Sequence, residues 1–148
     1  MTGAAQAIAI AAAVVNLGVG LWGGWLWYRV EQAGQVVWRA IRVAQGACVV
    51  HALAAGGLYL AGMHVAGNLY ALYVGLPIAV SFVAEQLRVL SADTVLDARG
   101  LENAAAVGEL EPAAQRSVVT AILRRELGVM AASCTVAAFL LLRAAATV

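Results

Sequence analysis

Four long apolar stretches recur along this chain, and they limit what it can fold into more than any other feature. They run over about 4–28, 37–61, 68–87 and 127–146. A helix rises about 1.5 Å per residue, so each stretch is close to the ~20 residues that cross a hydrocarbon core about 30 Å thick. Strands are not expected, because Ala and Leu dominate and the apolar residues do not alternate. The totals agree. Of 148 residues, 64% are hydrophobic and 11% charged, with a mean hydropathy of +0.87. A soluble domain is about half apolar and about a quarter charged, and a chain this short cannot bury the excess in one core. The expected fold is all-α: an integral-membrane four-helix bundle in a single domain.

The first stretch invites confusion with a secretion signal. Met1–Leu21 carries no charge, so a basic leading region is missing, and the apolar run is too long for a signal core. It is expected to be a retained helix.

Orientation follows from the nine basic residues, all of them Arg. Arg29, Arg39 and Arg42 flank the first connection. Arg88, Arg99, Arg116, Arg124 and Arg125 flank or occupy the third, and Arg143 alone falls on the other side. Positive charge marks cytoplasmic loops. The expectation is a multi-pass protein of the cell's inner or plasma membrane. Residues 29–38 and 88–126 would be cytoplasmic, and both termini and the short connection near His64 outside. Aromatic residues mark the same edges: Trp22, Trp25, Trp27, Tyr28 and Trp38 at the inner face, and Tyr59, Tyr70 and Tyr73 at the outer. A net charge of +1 gives no sign of nucleic-acid binding. The expected partners are the bilayer and further membrane subunits, or copies of the chain.

The third connection is the only sizeable polar segment. Arg99–Gly100 reads as a helix end with Gly at C′, and Glu111–Pro112 as a helix start with Pro at N1. Helix three is therefore expected to reach Ala98, and helix four to run from Pro112 to about Ala146. Together they form a cytoplasmic helical hairpin over 88–126, with a short tip that holds one more turn in "LENAAAV". Val118, Val119, Ile122 and Leu123 form an apolar stripe at helical spacing on the hairpin.

Depth ranks the polar residues inside the spans. Asn16 lies twelve residues before Tyr28, and His51 thirteen after Trp38. Both are about 18–20 Å from the cytoplasmic edge by helix rise. Pro77 has no N–H to return to the carbonyl of Tyr73, which lies about as deep. Asn16, His51, Tyr73 and Pro77 are thus expected to form a midplane polar layer. Polar groups there must find partners in protein. Either His51 carries a proton or ligand, or it makes one interhelical hydrogen bond among the small residues around it. At the inner boundary, Glu85 is expected to pair with Arg88 at i+3, or to meet Arg39 or Arg42.

Small-xxx-small pairs, Gly20 with Gly24 and Gly57 with Ala61, are expected association faces together with the hairpin stripe. Cys48 and Cys134 both sit in apolar stretches and read as buried thiols. No metal-ligand cluster, phosphate-binding loop or catalytic triad assembles, and no cofactor is called for. A haem would need axial ligands at one depth. His51 and His64 are about 20 Å apart along a helix, so a ligand pair would have to be His51 across a dimer axis, or His51 with Met63 or Met130. Three functions follow in order: a non-enzymatic self-associating protein or subunit of a membrane assembly; a small dimeric or oligomeric transporter or channel lined by His51 and Asn16; a b-type haem or other redox protein.

Overall fold

The computed structural model describes residues 2–30, 33–63 and 69–148. Their order is α1 (Thr2–Arg29), α2 (Gln35–Leu60), α3 (Leu69–Ala98), α4 (Ala104–Gly108) and α5 (Pro112–Ala146), with no strand among the described residues. α1, α2, α3 and α5 are each long and apolar enough to cross a membrane. α3 and α5 are the longest, at 30 and 35 residues, or about 45 and 52 Å by helix rise. His64 lies outside the described residues, as do residues 65–68 of its connection.

Local chemistry explains the helix ends. α2 stops at Gly62, whose φ of 94° suits glycine. Gly62 N–H donates to the Tyr59 carbonyl and Met63 N–H to the Leu58 carbonyl. This paired closure carries its usual apolar contact, since Met63 and Leu58 pack in one cluster. The end of α3 repeats the scheme. Gly100 has φ 67°, its N–H donates to Asp97, and Leu101 N–H donates to Leu96. In the tip, Asn103 caps the single turn of α4 by accepting from Ala106 N–H at 3.1 Å. Pro112 then opens α5. The helix ends that the sequence signals at Ala98 and Pro112 are the observed ones, and the extra turn starts inside "LENAAAV" and ends one residue past it, at Gly108.

Helices pack mainly in three pairs: α1 on α5, α3 on α5, and α1 on α2, with a looser contact between α2 and α3. α2 turns one seam inward, Val37, Ile41, Ala44, Cys48, His51 and Ala55, spaced alternately four and three residues apart as in a packed helical interface. The core is largely small. It includes Ala9, Ala13, Ala44, Ala137 and Ala144, each at most 1% exposed. Large apolar side chains lie on the outside instead, among them Leu53 at 72%, Phe82 at 65% and Phe139 at 63%. Close approach of backbones requires this arrangement. A Cβ at Gly20 would come within 2.5 Å of Thr135 Oγ1, and one at Gly128 within 2.8 Å of Trp27 Nε1.

Candidate functional site

Two polar constellations stand out inside this apolar frame, one buried between helices and one at the hairpin end. The buried one begins with Asn16, only 1% exposed. Its amide donates to the carbonyl of Ala12, one turn back on α1, and to that of Ala44 on α2, both at 3.0 Å. These bonds tie α1 to α2. They do not reach His51, which lies seven residues beyond Ala44, about 10 Å along α2.

His51 is equally buried at 1%, and neither ring nitrogen has a hydrogen-bond partner. The Tyr70 hydroxyl on α3 is the other buried side-chain polar atom without a partner among the described residues. An unpaired buried polar group costs about 1–3 kcal/mol, and a neutral imidazole offers one donor and one acceptor. His51 therefore presents unused hydrogen-bonding capacity in the interior. On the same seam, Cys48 is one turn before it and Ala55 one turn after. Pro77 is buried within α3. Its carbonyl accepts from the Ser81 hydroxyl at 2.9 Å. Tyr73 is half-buried, and the guanidinium of Arg143 sits 5.8 Å from its ring centre. Among the described residues no hydrogen bond joins Asn16, His51 and Tyr73 to one another.

At the hairpin end, Glu85 is the hub. Its carboxylate accepts from Arg42 and from Gln45 Nε2 (2.8 Å) on α2, and from Arg88 Nε (3.1 Å) on its own helix. Arg88 extends the network to Glu126 on α5 at 3.7 Å, and its guanidinium lies 5.9 Å from the Trp38 ring centre. Two acids and two arginines thus bind three helices with formal charges that cancel. Arg39, on the same turn of α2 as Arg42, is exposed and takes no part. Sequence reading points to Glu85, Arg42 and Arg88 but misses Gln45, one turn after Arg42 on α2, and Glu126 on α5.

The expected association faces divide. Gly20 faces α5 inside the chain, whereas a Cβ at Gly24 or Gly57 would meet nothing within 4 Å, and Ala61 is the exposed cap of α2. On the hairpin, Val118 is buried at 1% and Ile122 half-buried, while Val119 and Leu123 are exposed. Cys48 and Cys134 are free and buried. Among the described residues no group of three potential ligands is placed to hold a metal ion.

Compared with models of known protein families, with curated proteins and with solved structures, the chain matches none.

Proposed function

We propose that this chain is a four-helix integral membrane protein that works as a self-associating unit or as a subunit of a membrane assembly, with the 88–126 hairpin as its contact surface. Insertion is supported by the sorting of side chains. Large apolar residues cover the outside of all four long helices and Ala is the commonest buried residue, the pattern expected where lipid is the solvent and small residues let helices approach. The eight arginines at the hairpin end support a cytoplasmic position for that end.

One observation carries the assembly reading. Past the charged network, α5 still exposes Val119 (48%) and Leu123 (39%) on successive turns. Val119 is seven residues beyond Glu126, about 10 Å of helix, so hydrocarbon does not cover it. The experiment is oligomer size in native nanodiscs and detergent for the wild type and for Val119→Glu with Leu123→Glu. Wild type should run as an oligomer or a co-purifying complex that the double variant breaks. A wild type that is strictly monomeric and binds nothing, or an oligomer indifferent to the double variant, refutes this reading.

A second reading, a small transporter or channel, is favoured by the unpartnered His51. It requires solute or proton flux in proteoliposomes that His51→Leu abolishes while the protein stays folded.

A further inference from the structure

Two grooves lie along one strip of α5. The first, about 530 Å³, lies along the seam of α1 and α5. Its floor includes Gly24, Gly128 and Ala132, and its walls Leu21, Trp25 and Tyr28. The second, about 430 Å³, continues past the end of α1 at Val30 and is lined by Arg99, Arg116, Ser117 and Arg124. Ser117, Ala121, Arg124, Gly128, Ala132 and Thr135 line these grooves. They recur at intervals of three or four residues, so they share one face of the helix. The arginine-lined groove therefore follows the apolar one along the same face of α5, with Arg124 and Gly128 one turn apart.

The basic end is available for an anion. Among the described residues the ion pairs are Arg42–Glu85, Arg88–Glu85 and Arg88–Glu126. None involves Arg99, Arg116 or Arg124, and all three are exposed. Arg124 is held at the junction, its guanidinium 5.6 Å from the Trp27 ring centre. Trp27 in turn packs against α5 because position 128 is glycine. Arg99 is held by its bond to the Ser117 hydroxyl at 3.1 Å.

We infer that these two aligned grooves together bind an acidic phospholipid of the inner leaflet, an acyl chain lying between α1 and α5 and the phosphate meeting Arg124, with Arg116 and Arg99 around the headgroup. The inference rests on the membrane orientation proposed above. An apolar slot alone would take any chain, and arginines alone any phosphate; only a molecule with both parts fills the two grooves at once. Basic pockets beside membrane helices on the cytoplasmic side are suited to such headgroups.

The test is native mass spectrometry of the full-length protein released from nanodiscs of phosphatidylglycerol and phosphatidylcholine in equal parts. Wild type should retain phosphatidylglycerol in preference. Arg124→Gln should lower that preference about fivefold, the worth of one arginine at an anionic surface, and Arg125→Gln, off the strip, should leave it unchanged. Gly24→Leu fills the apolar groove without meeting another atom within 4 Å of its Cβ, so it should abolish retention while unfolding stays normal. Equal retention of the two lipids overturns the inference, as does equal loss in Arg124→Gln and Arg125→Gln. So does competition by inorganic phosphate with Gly24→Leu still binding, which marks a phosphate site alone. If the protein is extracted from membranes by alkaline carbonate, the membrane reading itself falls; if it stays embedded without lipid preference, only this inference falls.

Discussion

Replacing Gly20 by alanine should loosen the protein, while the same change at Gly24, one turn away, should not. A Cβ at Gly20 would lie 2.5 Å from Thr135 Oγ1, 3.0 Å from Thr135 N and 3.1 Å from the Ala131 carbonyl oxygen. Two of those three atoms are backbone, so relief requires α1 to shift away from α5. Overpacking of this kind costs about 1–3 kcal/mol. Alanine recovers up to about 1 kcal/mol in helix propensity. With the propensity gain in full, the balance for Gly20→Ala is a loss of up to about 2 kcal/mol. At Gly24 only the propensity gain applies, since no atom lies within 4 Å, so the change should be neutral or stabilising by up to about 1 kcal/mol.

Reversible unfolding in mixed micelles, with SDS mole fraction as denaturant and helicity as the signal, measures both. Thr135→Ala in the Gly20→Ala background should restore part of the loss. It removes the hydroxyl but leaves the backbone nitrogen and the Ala131 carbonyl in place, so a double-mutant cycle should show coupling between the two positions. Equal effects at Gly20 and Gly24 would refute the α1–α5 register. An oligomer that Gly24→Ala dissociates and Gly20→Ala spares would instead show that the open glycine serves a second chain.

Three further outcomes are expected. His51→Leu should raise unfolding stability by about 1–3 kcal/mol, because it replaces an unpaired buried imidazole with an apolar side chain of similar size; a loss of stability in the same micelle titration would mean the ring is partnered. Glu85→Gln should cost about 1 kcal/mol, since its carboxylate is a quarter exposed and such pairs are partly screened; the cost should shrink in high salt, and a salt-independent effect would discount the ion pairs. Val30 adopts φ 59° at the end of α1, a region that strains a β-branched residue, so Val30→Gly should stabilise the fold by about 1 kcal/mol; a destabilised variant in thermal unfolding would contradict that strain.

Signals confined to one helix are the ones that read directly from the chain. Gly100 and Pro112 act through their own backbone geometry, so they mark the ends of α3 and α5 without reference to any neighbour. Vertical offset between helices is different. Counting from Tyr28 and Trp38 puts Asn16 and His51 at one height, yet Asn16 bonds to Ala44. Spacing measures depth along each helix, while the packing between helices sets how far one slides past the other. In the hairpin the contacts themselves reveal the offset. Arg88 with Glu126, and Arg99 with Ser117, are centred on positions 107 and 108, at the α4 turn. That axis lies three or four residues past the centre of "LENAAAV", so the tip motif alone would set position 120 opposite Arg88 and miss Glu126.

The glycines show where a motif loses resolution. Gly20 and Gly24 form a small-xxx-small pair, and the pattern assigns both to one contact. Four residues advance a helix about 40° beyond a full turn. At the rim of an interface this separates a buried position from an open one. Gly20 falls under α5 together with Gly23, whose Cβ would lie 3.2 Å from Ala131 Cβ, while Gly24 falls in the groove beside them. The packing pair is thus spaced by three. The residue left over is what keeps a slot between α1 and α5 open toward the outside, so the same glycine-rich turn closes the helix pair and leaves room for an occupant. A bulky residue at 24 would fill that slot without disturbing the pair, and for this reason occupancy of the groove and stability of the fold can be measured separately.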